Sequence, residues 1–134
     1  MSELPKRLLQ SVCWSCSKER HADRAAFGEA LRQYQLDIRG SADHWDPDAR
    51  ILELPRVRIS FECWEGESQL EPQLTLEAED GAGFGALELM YGICDGIAAH
   101  LQEHGRELYD HHFFEGISAG ETEGVPLYFV RFGS

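Results

Sequence analysis

Arg56-Val57-Arg58-Ile59-Ser60-Phe61-Glu62-Cys63 alternates polar and apolar side chains at every step. A strand turns successive side chains to opposite faces, so this stretch reads as a half-buried β-strand with Val57, Ile59, Phe61 and Cys63 inward. Leu74, Leu76 and Ala78 alternate with Thr75, Glu77 and Glu79 in the same way and predict its partner. Closing the two around Gly66 gives an expected register with Phe61 opposite Leu74, Ile59 opposite Leu76 and Val57 opposite Ala78. The polar face then sets Arg58 against Glu77 and Arg56 against Glu79, two favourable cross-strand charge pairs. A one-residue slip would turn the apolar set to water and part both charge pairs.

Downstream, Asp80-Gly81-Ala82-Gly83 reads as a turn and residues 84–104 as the longest helix. Phe84, Leu87, Tyr91, Cys94, Ile97 and Leu101 form its apolar stripe, widened by Met90 and Ala98, and Gly105 suits its C-terminal cap. Gly85, Gly92 and Gly96 each cost about 1 kcal/mol relative to Ala in a helix, which predicts close approach of a neighbouring backbone. Two last strands, 111–118 and 125–132, flank the turn Ala119-Gly120-Glu121-Thr122-Glu123-Gly124. Leu127, Tyr128, Phe129, Val130 and Phe132 are apolar on both faces, which places the final strand inside the sheet.

Upstream, Ser2 suits an N-cap, and Leu8, Val12 and Cys16, with Leu9 and Cys13 beside them, have helical spacing. A second amphipathic pattern over 21–37 carries Ala26, Phe27, Ala30, Leu31, Tyr34 and Ile38 on one side, and residues 40–50 have turn composition. The expected architecture is therefore a single α+β domain over 1–134. Helices occupy about 3–38, and ββαββ over about 51–132 forms a mainly antiparallel four-stranded sheet packed on the helix 84–104.

A chain of 134 residues, 43% hydrophobic, suits one domain with one packed core. No apolar run approaches the roughly 18 residues of a membrane span, and the N-terminal segment lacks a signal-peptide core. The expected compartment is the cytoplasm, with the four cysteines as reduced thiols.

Several short motifs invite a chemical reading. Cys13-Trp14-Ser15-Cys16 has the spacing of a redox pair or half a zinc site, with His21 as a conceivable third ligand. No strand precedes it in the predicted pattern and no second pair completes it, so two buried thiols on one helical face are the simpler account. His100-Leu101-Gln102-Glu103-His104 matches the inverted zinc-protease signature, and two histidines four apart on a helix can share a metal. Asp110, His111 or His112 is the candidate third ligand of such a site, while a favourable helix C-terminus explains the histidines equally well without one. Asp110-His111-His112 matches a phosphoesterase triplet but lacks the further Asp/His clusters that chemistry needs. At a strand start His111 and His112 point to opposite faces, with His112 expected opposite Arg131. Asp43, Asp46 and Asp48 lack the Gly and closing Glu of a calcium loop. No cofactor fingerprint is present, so none is expected.

Charge is the remaining signal. Residues 1–58 hold ten of the twelve Lys/Arg, whereas 59–134 hold only Arg106 and Arg131 against fifteen carboxylates. A net charge of −12 repels nucleic acid and anionic membrane and attracts cationic surfaces. With Glu77 and Glu79 assigned to strand pairs, the rest gather at two turns. Glu62, Glu65, Glu67 and Glu71 surround Trp64 at the first, and Glu121 and Glu123, with Glu115 nearby, mark the second. An aromatic among acids has the composition of a binding hot spot. The expectation is a non-catalytic acidic binding protein, of the inhibitor or toxin-immunity type, masking a basic protein such as a toxin or nuclease-like effector. The competing expectation is a small zinc-dependent hydrolase built on His100 and His104. A homodimer through the Gly92/Gly96 helix face is a third arrangement the composition allows.

Overall fold

The alternating stretch forms β4 (Arg56–Ser60), and it pairs antiparallel with β7 (Gln73–Glu77). Between them β5 (Cys63–Glu65) and β6 (Ser68–Leu70) make a tight hairpin. The computed structural model describes residues 4–120 and 123–133. In it Phe61 N–H donates to Pro72 O, so both pairs of strands share one register and form one long hairpin. That register differs by two residues from the expected one: Arg56 faces Glu77, Val57 faces Leu76 and Ile59 faces Leu74. The cause is the turn. Gly66-Glu67 is a two-residue connection with Gly66 at φ 62, the sign that a primed hairpin turn needs at its first central position. A turn centred there fixes every pair behind it. A shift of two keeps side-chain parity, so Val57 and Ile59 still point inward and are fully buried.

The charge pairs change as a result. Arg56 bonds Glu77 at 2.8 Å, and Arg58 donates to Val125 O at 2.7 Å. Glu79 bonds Arg24 instead, at 2.9 Å.

The fold is α+β, with two helices and a mixed sheet larger than expected. Six strands run in the order β1 (Arg7–Leu8), β9 (Phe113–Ala119), β10 (Leu127–Gly133), β4, β7, with β2 (Trp14–Ser15) also on β9. β10 lies inside the sheet, as its two-sided apolar pattern predicts, and pairs parallel with β4. β3 (Arg50–Leu52) and β8 (Phe84–Gly85) form a separate small ladder.

The expected first helix does not form over the described residues from Leu4 on. Residues 7–8 and 14–15 are strands on β9, and Leu9 at φ 60 interrupts the path. Val12, Cys13, Trp14 and Ser15 are all weak helix formers, and β9 offers their backbone an open edge. Ser2, the expected N-cap, lies outside the described residues. α1 (Arg24–Arg39) forms where the second pattern predicts, capped by Asp23, whose side chain accepts from Ala26 N–H, and by Gly40 at φ 76, but it buries Phe27, Leu31 and Gln35 and leaves Ala26 and Ile38, expected on the same side, exposed. Gln35 is fully buried in α1 and binds the N-terminal segment. Its Oε1 accepts from Cys13 N–H at 2.9 Å and its Nε2 donates to Cys13 O at 2.6 Å.

α2 (Ala86–His104) begins two residues late because Phe84 and Gly85 are spent in β8. Glu88 then accepts from Gly85 N–H and caps the helix start. Leu89, Met90, Ile93, Cys94, Ile97 and Leu101 are buried in the core with Val57, Ile59, Phe61, Tyr128 and Val130. Burial of such a side chain contributes about 1.5–3 kcal/mol. What approaches Gly92 and Gly96 is the Leu76 and Leu74 side chains of β7, not backbone. The glycine face proposed for a homodimer is thus filled from within.

Five cations of the first half clamp carboxylates of the second: Lys18–Glu107, Arg20–Asp95, Arg24–Glu79, Arg50–Asp80 and Arg56–Glu77. These five pairs join the two unevenly charged halves of the chain across the fold.

Candidate functional site

The hairpin tip is built from two segments. Trp64 in β5 exchanges two backbone hydrogen bonds with Glu107, just beyond α2, at 2.8 and 2.9 Å. This holds residues 107–111 against the hairpin. Tyr109 sits at φ 54, a strained conformation for a residue of its size, and its hydroxyl donates to Gly66 O at 2.9 Å. Trp64 packs against Tyr109 with ring centroids 5.9 Å apart and lies nearly parallel to His111 at the same separation. The result is an aromatic platform in which Trp64 is half-buried and Tyr109 is 55% exposed. Trp64 therefore neither projects alone nor folds away over the sheet. Sequence reasoning missed Tyr109 and read His111 only as part of the Asp110-His111-His112 triplet, not as a neighbour of Trp64.

Acids rim this platform. Glu67 occupies the turn, Asp110 lies 3.9 Å from His111, and Glu65 approaches Arg106 at 3.5 Å. Arg106 Nε is buried and has no hydrogen bond, the Glu65 contact being too long for one. Glu65 is therefore partly neutralised, whereas Glu67 has no ion-pair partner among the described residues.

The other acidic residues are distributed differently. Glu62 and Glu71, at the junction of the two halves of the hairpin, border a shallow depression of about 300 Å³ with Ser60, Phe129 and Arg131. Glu115 lies in β9 with its carboxylate beside Gly133. Glu123 is exposed in the turn before β10, and Glu121 lies outside the described residues. Parallel pairing of β4 and β10 sends that second turn to the start of β4, whereas the hairpin tip extends from its end. The five residues of β4 separate them by about 17 Å. The two turns do not form one surface.

The histidines of the zinc motif do adjoin, with ring centroids 4.4 Å apart. Arg106 Nη1 donates to His100 Nε2 at 2.8 Å, occupying the lone pair a metal would use, and Phe61 closes edge-on against the ring. Burial, then the neighbouring His104 and Arg106, hold the His100 pKa below its ordinary value. His112 does not join them. It precedes β9 and its Nδ1 bonds Ser15 Oγ at 2.8 Å. Nor does it face Arg131: β10 pairs with β9 as Tyr128 to Ala119 and Val130 to Ile117, a register displaced by several residues from the expected one, and Arg131 donates to Ser118 Oγ. Among the described residues no group of three or more His, Cys, Asp or Glu is placed to hold a metal ion.

Cys13 and Cys16 lie on an extended segment rather than a helix, and Cys16 neighbours Cys94 of α2. Burial above all, and then Cys16, pushes the Cys94 thiol up, away from the reactive thiolate. His21 packs on Trp14 and Phe27. Asp46 accepts from Asp48 N–H, a local turn bond. Among the described residues, no helix is long and apolar enough to cross a membrane. The chain matches no family model, no curated protein and no solved structure.

Proposed function

We propose that this chain is a small acidic binding protein of the cytoplasm, of the inhibitor or toxin-immunity type, which masks a basic partner protein without catalysis. The observation that carries the reading is the platform of Trp64, Tyr109 and His111, tied together by the Tyr109 hydroxyl on Gly66 O and the Trp64–Glu107 backbone pair and rimmed by Glu67, Asp110 and Glu65. Aromatic faces attract Lys and Arg, and the net charge of −12 steers a cationic partner toward them. Aromatics of this kind are the usual energetic anchors of an interface, while surrounding charges set association rate and salt dependence.

The test is affinity capture from the source cells with wild type, Trp64→Ala, and a Glu67→Lys/Glu71→Lys/Asp110→Lys variant. The expected result is a basic protein held by wild type, released progressively as salt rises, and lost by both variants. Retention of that partner by the charge-reversed variant at unchanged affinity overturns the proposal.

A further inference from the structure

We infer that the outer edge of β7 receives an extended basic segment of the partner as an added strand of the sheet; this deepens the function proposed above and rests on it. Two hydrogen bonds set the geometry. Phe61 N–H donates to Pro72 O at 3.2 Å and Ala78 N–H to Pro55 O at 2.9 Å. In an antiparallel ladder these bonds alternate, so residues 72, 74, 76 and 78 direct their backbone groups at β4. The N–H and C=O groups of Gln73, Thr75 and Glu77 then point away from the sheet. All three residues are exposed, and no described strand pairs with β7 on that side.

Sheet edges are normally blunted by short strands, bulges, proline or lysine, because open backbone groups recruit other chains. The opposite edge of this sheet follows that rule. It consists of two two-residue strands, broken at Leu9 (φ 60), against a β9 that carries Gly116 at φ 98. β7 has none of these devices within it: five residues pair in unbroken register, without a lysine or a bulge, and its one proline, Pro72, precedes it.

The side chains define what fits. Leu74 and Leu76 are half-buried on the helix face, above Gly96 and Gly92, and offer an apolar shelf to alternate residues of an added strand. The intervening residues would lie beside Gln73, Thr75 and Glu77 on the solvent face. Glu71 and Glu67, without ion-pair partners among the described residues, continue the same edge toward the aromatic platform. Alternating apolar and cationic residues complement this surface. A second copy would bring the same net charge of −12 against it, which disfavours self-pairing.

The probe is an acetylated, amidated eight-residue peptide of alternating Lys and Val, long enough to span the roughly 17 Å of β7. Its binding is measured by calorimetry and amide NMR at low salt. The expected result is protection of the Gln73, Thr75 and Glu77 amides from exchange. Thr75→Pro should weaken binding about tenfold or more, since it removes one outward N–H and leaves the β4–β7 ladder untouched. A peptide N-methylated at alternate residues, which needs no change to the protein, should lose binding equally. The inference is overturned if the methylated peptide binds as well as the parent, or if the parent does not bind. Should only the Glu67→Lys/Glu71→Lys variant lose the peptide, edge pairing fails while the acidic-binder reading survives. Should Thr75→Pro alone abolish binding, with charge reversal silent, the basic character of the partner is refuted instead. A wild-type dimer in sedimentation that Thr75→Pro dissociates would make the occupant a second copy and overturn the assignment.

Discussion

Replacing Gln35 should free the N-terminal segment from α1 while its strands stay on β9, and the size of the effect follows from four bonds. The side chain is fully buried. Its Nε2 donates to Cys13 O at 2.6 Å and Leu31 O at 3.1 Å, while its Oε1 accepts from Cys13 N–H at 2.9 Å and meets His44 Nε2 at 3.1 Å. Gln35→Leu keeps a similar volume but strands the Cys13 N–H and C=O without partners. Each stranded group costs about 1–3 kcal/mol, and the added apolar burial returns about 1–2 kcal/mol. The expected net loss is about 1–4 kcal/mol in urea unfolding followed by far-UV circular dichroism. Gln35→Glu separates the hydrogen bonds from the packing. A carboxylate can accept from Cys13 N–H but cannot donate to Cys13 O, so the folded state favours the protonated acid and raises its pKa above the unfolded value of about 4.3. Protonation is then retained on folding, so the deficit relative to wild type is full above the folded pKa and shrinks as pH falls toward about 4. A Gln35→Leu loss below about 0.5 kcal/mol would refute the assignment of these bonds as the clamp. So would a Gln35→Glu deficit that does not shrink in acid.

Three further outcomes are expected. Asp80 accepts from Ala82 and Gly83 N–H and bonds Arg50, and these contacts lower its pKa to about 2. Its stabilisation is complete above the unfolded value of about 3.9 and lost as pH falls through about 2; Asp80→Asn should flatten that part of the pH–stability profile. Gly116→Ala should cost about 2–4 kcal/mol in thermal unfolding, because φ 98 excludes a side chain and Leu8 O stands 2.8 Å from the new Cβ. Gly124→Ala, at φ 71 with open space around it, should cost less. His100 should titrate by NMR below 6.5, so that its contribution is present above that pH and declines as pH falls below it. Zinc added at neutral pH should leave its resonances unmoved while Arg106 holds Nε2.

The parts of this fold that were readable are those governed by local rules. Period two in 56–63 and 74–78 identified β4 and β7 with the correct faces inward, and the stripe from Leu87 to Leu101 identified α2. Gly40 and Gly105 cap their helices in the left-handed conformation that their type favours. The N-terminal segment misled because Leu8, Val12 and Cys16 have helical spacing, yet the segment's backbone finds its partners far along the chain, residues 7–8 and 14–15 in β9 and Cys13 in Gln35. No local pattern carries that information. The candidate site was half legible for the same reason. Trp64 and the nearby acids stand out in composition, but Tyr109 and His111 join them only because Glu107 pairs with Trp64 across more than forty residues.

The sequence by itself determined the net charge, its uneven division, the side-chain parity of β4 and β7 and the helical period of α1 and α2. These are properties of single segments. Only the tertiary structure decided the strand register, set by the positive φ of Gly66, and the partner of each ion pair. By clamping five cations of the first half onto carboxylates of the second, it decided which acids stay without a cation, Glu67 beside the aromatic platform among them. Charge belongs to composition; where it stays unpaired depends on which distant side chains the closed fold brings within reach.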